Sequence, residues 1–277
     1  MRAKTCHSVT EALRDVMSGA SIYVGGFGGS GIPARLLRGL LDKQGVKDLT
    51  LINNNAGAGD TSFLGLVRAG RVGRIVCSYP RMPGNEVLRE QVEAGRLQVD
   101  VMPQGTLVER IRAAGAGQGP FFTPTGFGTP LAQGKETRMY KGRGYVLEEP
   151  LAADFAFVRA SQADTTGNLV SRHRSSVGLR WPSKRIAALH RLPIRSVLAA
   201  RCALRCAPMA ARSLRHLTGD ATLAYRYAQR NFGPIMCMGA ATTIVEVEQI
   251  VALGALAPDV IITPSLFVNR LLQDDAA

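Results

Sequence analysis

The sequence contains no apolar run approaching the roughly 18 to 20 residues that a bilayer-spanning helix needs. Its five cysteines are scattered and odd in number, which argues against a disulfide framework. The first fifteen residues, with charges from Arg2 to Asp15, lack the apolar stretch of a signal peptide. These absences predict a cytoplasmic protein that is not bound to membranes.

Acidic residues are scarce in one segment, and this scarcity accounts for most of the net charge of +13. Ser171 to Ala224 hold eleven of the 34 basic residues but one of the 21 acidic residues, so the remainder carries only +3. The basic excess is therefore local and argues against a nucleic-acid-binding class for the whole chain. The segment also contains a Cys202/Cys206 pair with His190 and His216, but this spacing suits no common zinc site, and we expect no metal ion.

Outside this segment, short apolar strands alternate with amphipathic helices. The predicted strands are Ile22–Val24, Leu49–Ile52, Arg74–Cys77, Leu97–Met102, Tyr145–Leu147, Phe155–Val158, one at Ala240–Val247 and a last one at Ile261–Ile262. The predicted helices are Glu11–Met17, one beginning at Pro33, Phe63–Val67, one capped by Asn85, and Leu107–Ala114, opened by a Thr106/Glu109 capping box.

This alternation predicts the α/β class, as a layered sandwich with a mainly parallel sheet between helices. The whole chain, 1–277, is predicted to form a single domain that is interrupted at about 171–224. In parallel sheets, ligands bind beyond the carboxyl ends of the strands, so the loops at Gly25, Asn53, Tyr79 and Pro103 are expected to gather at one edge.

The loop between the first strand and Pro33 is rich in glycine. Gly26, Gly28 and Gly31 have the spacing of the dinucleotide fingerprint, but the acid expected near the end of the second strand is replaced by Asn53-Asn54-Asn55. A nucleotide-binding α/β enzyme is therefore an alternative rather than the favoured interpretation. Glycines at these positions still allow backbone N–H groups to approach an anionic or carbonyl-bearing ligand closely.

A series of short motifs, each weak alone, occurs in one order along the chain. The motifs are Ser18-Gly19, Ile22–Val24, Gly25-Gly26-Phe27 with Gly31 and Pro33, Asn54–Gly57, Pro103–Leu107 with Glu109-Arg110, Phe122–Thr129, Leu147-Glu148, Asp154–Ala156, Asp164 with Gly167–Leu169, Arg230–Phe232 and Thr243–Glu246. With these motifs the chain resembles the A-type subunits of the family I coenzyme A transferases. Ser18 and Tyr23 depart from the family pattern, and neither carries chemistry.

The resemblance implies the transfer of CoA from succinyl-CoA to a 3-oxo acid. Val76–Arg81 looks like the 3-oxoadipate branch of aromatic catabolism, with acetoacetate as the alternative acceptor. It also implies that Gln104 donates its amide to the reacting carbonyl oxygen, where a neutral preorganised donor stabilises developing negative charge. The implied substrate and CoA contacts are Gly25, Gly26, Phe27, Gly28, Gly31, Asn54, Asn55, Gly105, Thr125 and Gly126.

The family's nucleophile is a glutamate in a Ser-Glu-Asn-Gly motif of the B half, and this motif does not occur here. The resemblance therefore implies a CoA-transferase B-type partner, an α2β2 assembly, no activity of the chain alone, and no cofactor beyond the CoA thioester that serves as substrate. Glu148 and Glu246 are interpreted as structural or subunit-contact residues rather than nucleophiles.

In relatives, the Gly-Asn motif and two apolar residues run directly into an aromatic residue, an arginine and then Ala-Arg-Asn-Phe. Here Gly167–Val170 and Tyr225–Phe232 supply the two halves, and the 54 residues 171–224 separate them. Because loop closure cost grows slowly with length, we predict a surface insertion that leaves the domain folded. A non-catalytic homologue, in which this insertion prevents assembly, is the alternative.

Overall fold

A computed structural model describes residues 4–27, 31–57, 62–81, 84–170 and 232–274. All of these residues belong to one compact unit. The predicted insertion at 171–224 lies outside the described residues. In the described ranges, no helix is long and apolar enough to span a membrane.

The helices and strands follow the predicted alternation. The helices are α1 Val9–Ala12, α2 Ala34–Asp42, α3 Ser62–Arg68, α4 Glu86–Glu93, α5 Gln104–Gly115 and α6 Gly233–Gly239. The strands are β1 Thr5–Cys6, β2 Ser21–Val24, β3 Leu49–Ile52, β4 Val72–Cys77, β5 Gln98–Val101, β6 Phe121–Thr123, β7 Thr137–Tyr140, β8 Arg143–Glu148, β9 Ala153–Asp164, β10 Leu169–Val170, β11 Ala240–Val251 and β12 Arg270–Gln273.

The main sheet has the strand order β1-β12-β11-β9-β2-β3-β4-β5. Every pair along this path is parallel, and β10 adds an antiparallel pairing to β9. The prediction of a mainly parallel sheet is confirmed. Strands β2 to β5 are consecutive in sequence and adjacent in space, so the loops that follow them emerge at the same edge.

Alternating side chains of the strands enter two separate cores, one on each face of the sheet. In β2, Ile22 and Val24 join the core that also contains Leu36, Phe63 and Leu88 from α2, α3 and α4. Tyr23, between them, belongs to the opposite core, which contains Leu107 and Ile111 of α5 and Met236 of α6. The sheet therefore lies between two helical layers, as predicted.

The first helix is shorter than predicted and begins earlier, because an unrecognised capping box fixes its start. The Ser8 hydroxyl accepts the N–H of Glu11 at 3.0 Å, and the Glu11 carboxylate accepts the N–H of His7 at 2.8 Å. The helix ends at Ala12, and the Lys43 ammonium donates to the carbonyls of Leu13, Arg14 and Val16 that follow.

One predicted strand is absent, and another is present but lies outside the main sheet. Residues 261–262 form no strand; instead, Thr263 makes an isolated bridge to Leu169, and the last strand is β12. The predicted strand at Tyr145 exists as part of β8, but it belongs to a separate antiparallel sheet of order β6-β8-β7. The Phe122–Thr129 motif precedes β8 in the sequence, and its residues lie in β6 and in the loop that follows β6.

Candidate functional site

The loops after β2, β3, β4 and β5 contact one another at the carboxyl edge of the sheet. The Asn53 amide donates to the carbonyl of Val24 at the end of β2. The Ser78 hydroxyl, after β4, donates to the Asn54 carbonyl at 2.9 Å, and the N–H of Met102, after β5, donates to the Cys77 carbonyl at 3.0 Å. The predicted gathering of these loops is thus confirmed, and the hydrogen bonds fix the positions of the loops relative to one another.

Three consecutive asparagines form the buried floor of this edge, with exposed fractions of 3%, 7% and 4% for Asn53, Asn54 and Asn55. Their oxygens are engaged: Asn53 Oδ1 accepts the Asn55 N–H at 2.8 Å, Asn54 Oδ1 accepts the Ser78 hydroxyl at 3.0 Å, and Asn55 Oδ1 accepts the Gly57 N–H at 3.1 Å. Among the described residues, the Nδ2 groups of Asn54 and Asn55 find no acceptor, and neither is a fully buried atom. Two neutral side-chain NH2 groups therefore remain available there as donors.

Gln104 is the first residue of α5 and is exposed. Its side-chain amide makes no hydrogen bond to any described residue. The first intrahelical bond of α5 runs from the Leu107 N–H to the Pro103 carbonyl at 2.9 Å, which leaves the N–H groups of the first turn facing the same end. A neutral side-chain donor therefore stands at the positive end of the helix dipole.

The predicted capping box at Thr106 is wrong. The helix begins three residues earlier, at Gln104 with Pro103 as its N-cap, so Thr106 lies inside the first turn. The Thr106 hydroxyl is buried and has no hydrogen-bond partner among the described residues. Glu109 forms an ion pair with Arg112 instead of reaching back to the start of the helix.

The described part of the Gly-rich loop approaches the sheet backbone closely. The Gly25 N–H donates to the Phe157 carbonyl at 2.8 Å, and a Cβ at Gly25 would lie 3.2 Å from that oxygen. Gly26 has a φ of 118°, a conformation that favours glycine. Phe27 packs near Phe232, with ring centroids 6.0 Å apart. Gly28 lies outside the described residues, and Gly31 precedes α2 with a φ of 72°.

A carboxylate of the protein itself occupies the N-terminus of α2. Glu246 Oε2, on β11, accepts the backbone N–H of Arg35 at 2.8 Å and that of Leu36 at 3.3 Å. In the dinucleotide fingerprint, the helix after the Gly-rich loop must leave these donors free for a pyrophosphate. The arrangement therefore counts against the nucleotide-binding alternative.

Glu246 is 2% exposed, and Arg159 lies 3.7 Å from its other oxygen. Burial and repulsion from Asp274 raise the pKa of Glu246. The N–H groups of α2 and the charge of Arg159 act in the opposite direction but do not outweigh them.

A cavity of about 370 Å³ lies between β4 and β5, α5 and the small sheet. Its lining includes Pro103, which caps the Gln104 helix, and Thr125 of the loop after β6. Gly126 follows with a φ of 86°, and its carbonyl accepts the Thr129 hydroxyl at 2.7 Å. Gly105 is exposed in the first turn of α5. The structure thus brings Thr125 and the start of the Gln104 helix to one cavity.

Glu148 is 5% exposed and lines the cavity wall. Its oxygens meet the Lys135 ammonium at 2.5 Å and the Arg110 guanidinium at 3.6 Å. Arg110 also donates to the Glu149 carbonyl at 2.7 Å, and the Arg110 carbonyl accepts the Leu151 N–H at 2.9 Å, so α5 is fastened to the end of β8.

The three described cysteines are poor nucleophiles. Burial raises the pKa of Cys77 to about 11 and that of Cys237 to about 12, and it also raises the pKa of Cys6. The thiolate, which is the reactive form, is therefore scarce near neutral pH. Among the described residues, no group of three or more His, Cys, Asp or Glu side chains is arranged to hold a metal ion.

Sequence reasoning missed two parts of this region: the Arg110–Glu148–Lys135 group and the capping of α2 by Glu246. Each joins residues that are distant in sequence, and no local spacing indicates such contacts. Glu148 and Glu246 stood out only as acids within motifs, and the structure now shows that each is already engaged with internal partners.

Comparison with known proteins relates this chain to coenzyme A transferases. The family model described as Coenzyme A transferase matches residues 6–178 and 214–274. The A-type subunit of the 3-oxoadipate CoA-transferase of Pseudomonas putida is 41% identical over 274 residues, covering 99% of this chain and 95% of that protein. The A-type subunit of a probable succinyl-CoA:3-ketoacid coenzyme A transferase of Bacillus subtilis is 36% identical, with 97% and 89% covered.

Among solved structures, glutaconate coenzyme A-transferase from Acidaminococcus fermentans matches with a TM-score of 0.70, covering 98% of this chain and 75% of that chain. Its sequence identity is 17%, so this likeness supports the fold alone.

Proposed function

The chain belongs to the coenzyme A transferase family, and on this premise we propose that it moves CoA from succinyl-CoA to 3-oxoadipate. It does so as the A-type subunit of an α2β2 enzyme, and the attacking glutamate comes from the B-type partner. The relative named for 3-oxoadipate is 41% identical to this chain, and the relative named for 3-ketoacids is 36% identical. Acetoacetate is therefore the alternative acceptor.

The chemistry requires a donor that acts on the thioester carbonyl. The partner's carboxylate adds to the carbonyl carbon, the carbonyl oxygen takes the negative charge, and collapse expels the CoA thiolate to leave an acyl–glutamyl anhydride. The thiolate then attacks the glutamyl carbonyl and releases succinate, which leaves glutamyl-CoA. The carboxylate of the acceptor acid then attacks glutamyl-CoA, and the same steps run in reverse to give the CoA thioester of the acceptor and the free glutamate. No electrons are exchanged, so the CoA thioester suffices as substrate and no redox cofactor is needed.

The observation that carries this proposal is the unengaged amide of Gln104 at the start of α5. A preorganised donor beside a helix N-terminus stabilises an oxyanion without a reorganisation cost at the moment of reaction. Asn54 and Asn55, in the loop after β3, offer further neutral N–H donors to the substrate. Gly25, Gly26, Phe27, Gly31, Gly105, Thr125 and Gly126 complete the proposed substrate and CoA contacts.

Gln104→Ala tests this role in the enzyme assembled with a B-type chain that contains Ser-Glu-Asn-Gly. Because removal of one oxyanion donor typically costs about 10²- to 10³-fold in kcat, we expect a loss of that size with little change in KM. Gln118→Ala is the matched control, since Gln118 is exposed beyond the other end of α5. Rates with 3-oxoadipate and acetoacetate as acceptors, measured in parallel, decide between the two.

Two results would contradict the proposal. One is CoA exchange at a normal rate by the purified chain without its partner, since the nucleophile would then lie in this chain. The other is an assembled Gln104→Ala enzyme with an unchanged rate. Failure to form a complex with the B-type chain would instead indicate the non-catalytic homologue, in which the insertion prevents assembly.

A further inference from the structure

The cavity beside the Gln104 helix combines an apolar wall with charged side chains. Its volume of about 370 Å³ suits a small organic group rather than a single water. The apolar lining is Val76, Val99, Val101, Met102, Leu131 and Leu151, and the charged lining is Arg74, Arg110, Lys135, Asp100 and Glu148.

The charges that line this cavity do not cancel. Arg74 is paired with Asp100. Glu148 faces two cations, Lys135 at 2.5 Å and Arg110 at 3.6 Å, so one positive charge remains unbalanced in the lining. A single carboxylate would neutralise it, and methylene groups would suit the apolar wall.

Donors for such a carboxylate remain after the internal contacts are counted. Lys135 Nζ uses one of its hydrogens for Glu148. Arg110 directs Nε to the Glu149 carbonyl and Nη1 to Met102 and Glu148. Within the described residues, Arg110 Nη2 and the other Lys135 hydrogens have no acceptor. Glu148 therefore holds the two cations close to each other and leaves these N–H groups available to a ligand.

We propose that this cavity binds the free carboxylate at the far end of the acyl group, with Lys135 and Arg110 as its counter-charges. The inference rests on the proposed function, because succinyl and 3-oxoadipyl thioesters both end in such a carboxylate. Pro103 lines the cavity and immediately precedes Gln104, so the cavity lies beside the start of the helix that carries the proposed oxyanion donor. Lys135 and Arg110 are thus specificity residues for acyl groups derived from dicarboxylic acids.

Lys135→Met tests this inference, because it removes the charge while keeping an unbranched apolar side chain. The assembled enzyme is assayed with succinyl-CoA and with butyryl-CoA, a four-carbon analogue that lacks the carboxylate, as substrate or as competitive inhibitor. Loss of a charge-assisted contact predicts a fall of about 10- to 100-fold in kcat/KM for succinyl-CoA. The kcat/KM or inhibition constant for butyryl-CoA is expected to stay within about 2-fold of its original value.

Two further variants make the outcome decisive. Lys135→Arg keeps the charge and should preserve the preference for succinyl-CoA. Lys47→Met is the matched control, because Lys47 is exposed and precedes β3 at the opposite edge of the sheet. It should alter the kinetics of neither substrate.

An unchanged ratio of succinyl-CoA to butyryl-CoA activity in Lys135→Met would overturn the inference. Equal losses for both substrates would also do so, since they would indicate a structural role or contact with the partner chain. Failure of the proposed function is a separate result: the unmodified assembled enzyme would then transfer no CoA at all.

Discussion

Glu246→Ala and Glu246→Gln should separate the charge of this buried carboxylate from its capacity to accept hydrogen bonds. In the folded chain it accepts two N–H groups from the first turn of α2, whose N-cap residue makes no side-chain capping bond. Losing a helix cap costs about 0.5–2 kcal/mol, and leaving buried donors unpaired adds to this. In both variants Arg159 would still form ion pairs with Glu248 at 3.7 Å and Asp274 at 3.0 Å, so its charge would remain paired.

We therefore expect Glu246→Ala to lower the free energy of unfolding by about 2–3 kcal/mol, measured by urea denaturation. Glu246→Gln keeps an acceptor oxygen and removes a charge that burial disfavours, so it should lose less than half as much. Equal losses in the two variants would refute the reasoning, because they would mean that the charge, rather than the acceptor, holds α2.

The pH dependence of stability gives a second test of the same carboxylate. Its pKa is raised above the ordinary value of 4.5, so the folded state holds this proton at pH values where the unfolded chain has released it. The resulting stabilisation is complete below the unfolded pKa and is lost as pH rises through the folded pKa. Acidification from neutral pH toward that window should stabilise the unmodified chain but not Glu246→Gln at this position, so the difference between their free energies of unfolding should grow. A difference that shrinks on acidification would contradict the assignment.

Two smaller substitutions test local packing, each by thermal or urea denaturation. Thr106→Val, which replaces a buried hydroxyl without a partner among the described residues by a methyl group, should leave stability unchanged or raise it by up to about 1 kcal/mol. A clear loss of stability would mean that the hydroxyl is bonded in solution. Gly25→Ala should cost about 1–3 kcal/mol, because the new Cβ would lie 3.2 Å from the Phe157 oxygen and 3.3 Å from Val158 Cα, which are backbone atoms. A neutral effect would show that the end of β2 can move away.

The layers and the sheet edge were predictable because they depend on local patterns. The apolar runs at Leu49–Ile52 and Arg74–Cys77 lie in β3 and β4, since short β-rich segments between Gly-rich turns have few alternatives. Parallel order then places the asparagines and Pro103 at one edge by topology alone. For the same reason the position of Gln104 was predictable, although its lack of bonding partners was not.

The start of α5 shows where local patterns fail. Thr106 and Glu109 match the spacing of a capping box, yet the helix begins at Gln104. Proline is well suited to a helix start, since its missing N–H and fixed φ cost nothing there, and Pro103 therefore outweighs the Thr/Glu signal. In contrast, Ser8 and Glu11 do cap α1: the Ser8 hydroxyl accepts the Glu11 N–H, and the Glu11 carboxylate accepts the N–H of His7, the residue before the cap.

The long-range contacts could not be predicted from spacing. Glu246 and Arg35 are 211 positions apart, and the wall of the cavity takes residues from β4, β5, α5, β8 and the loops around them. The cavity wall depends on how the small antiparallel sheet lies against α5, and the Glu246 contact depends on how β11 lies against the start of α2. The sequence contains the residues but no periodicity that relates them.

In the proposed enzyme, some polar groups at this end of the sheet are neutral and others are charged, and each matches the charge of the substrate atom that it binds. The thioester carbonyl is neutral until a nucleophile adds, so a donor accelerates the reaction only if its bond strengthens at that moment. The neutral amide of Gln104 satisfies this condition. The distal carboxylate is charged throughout, so Lys135 and Arg110 stabilise ground and transition states alike and contribute binding and selectivity rather than rate. A cation at position 104 would also hold the carboxylate product tightly, and for this reason the chemistry favours glutamine there.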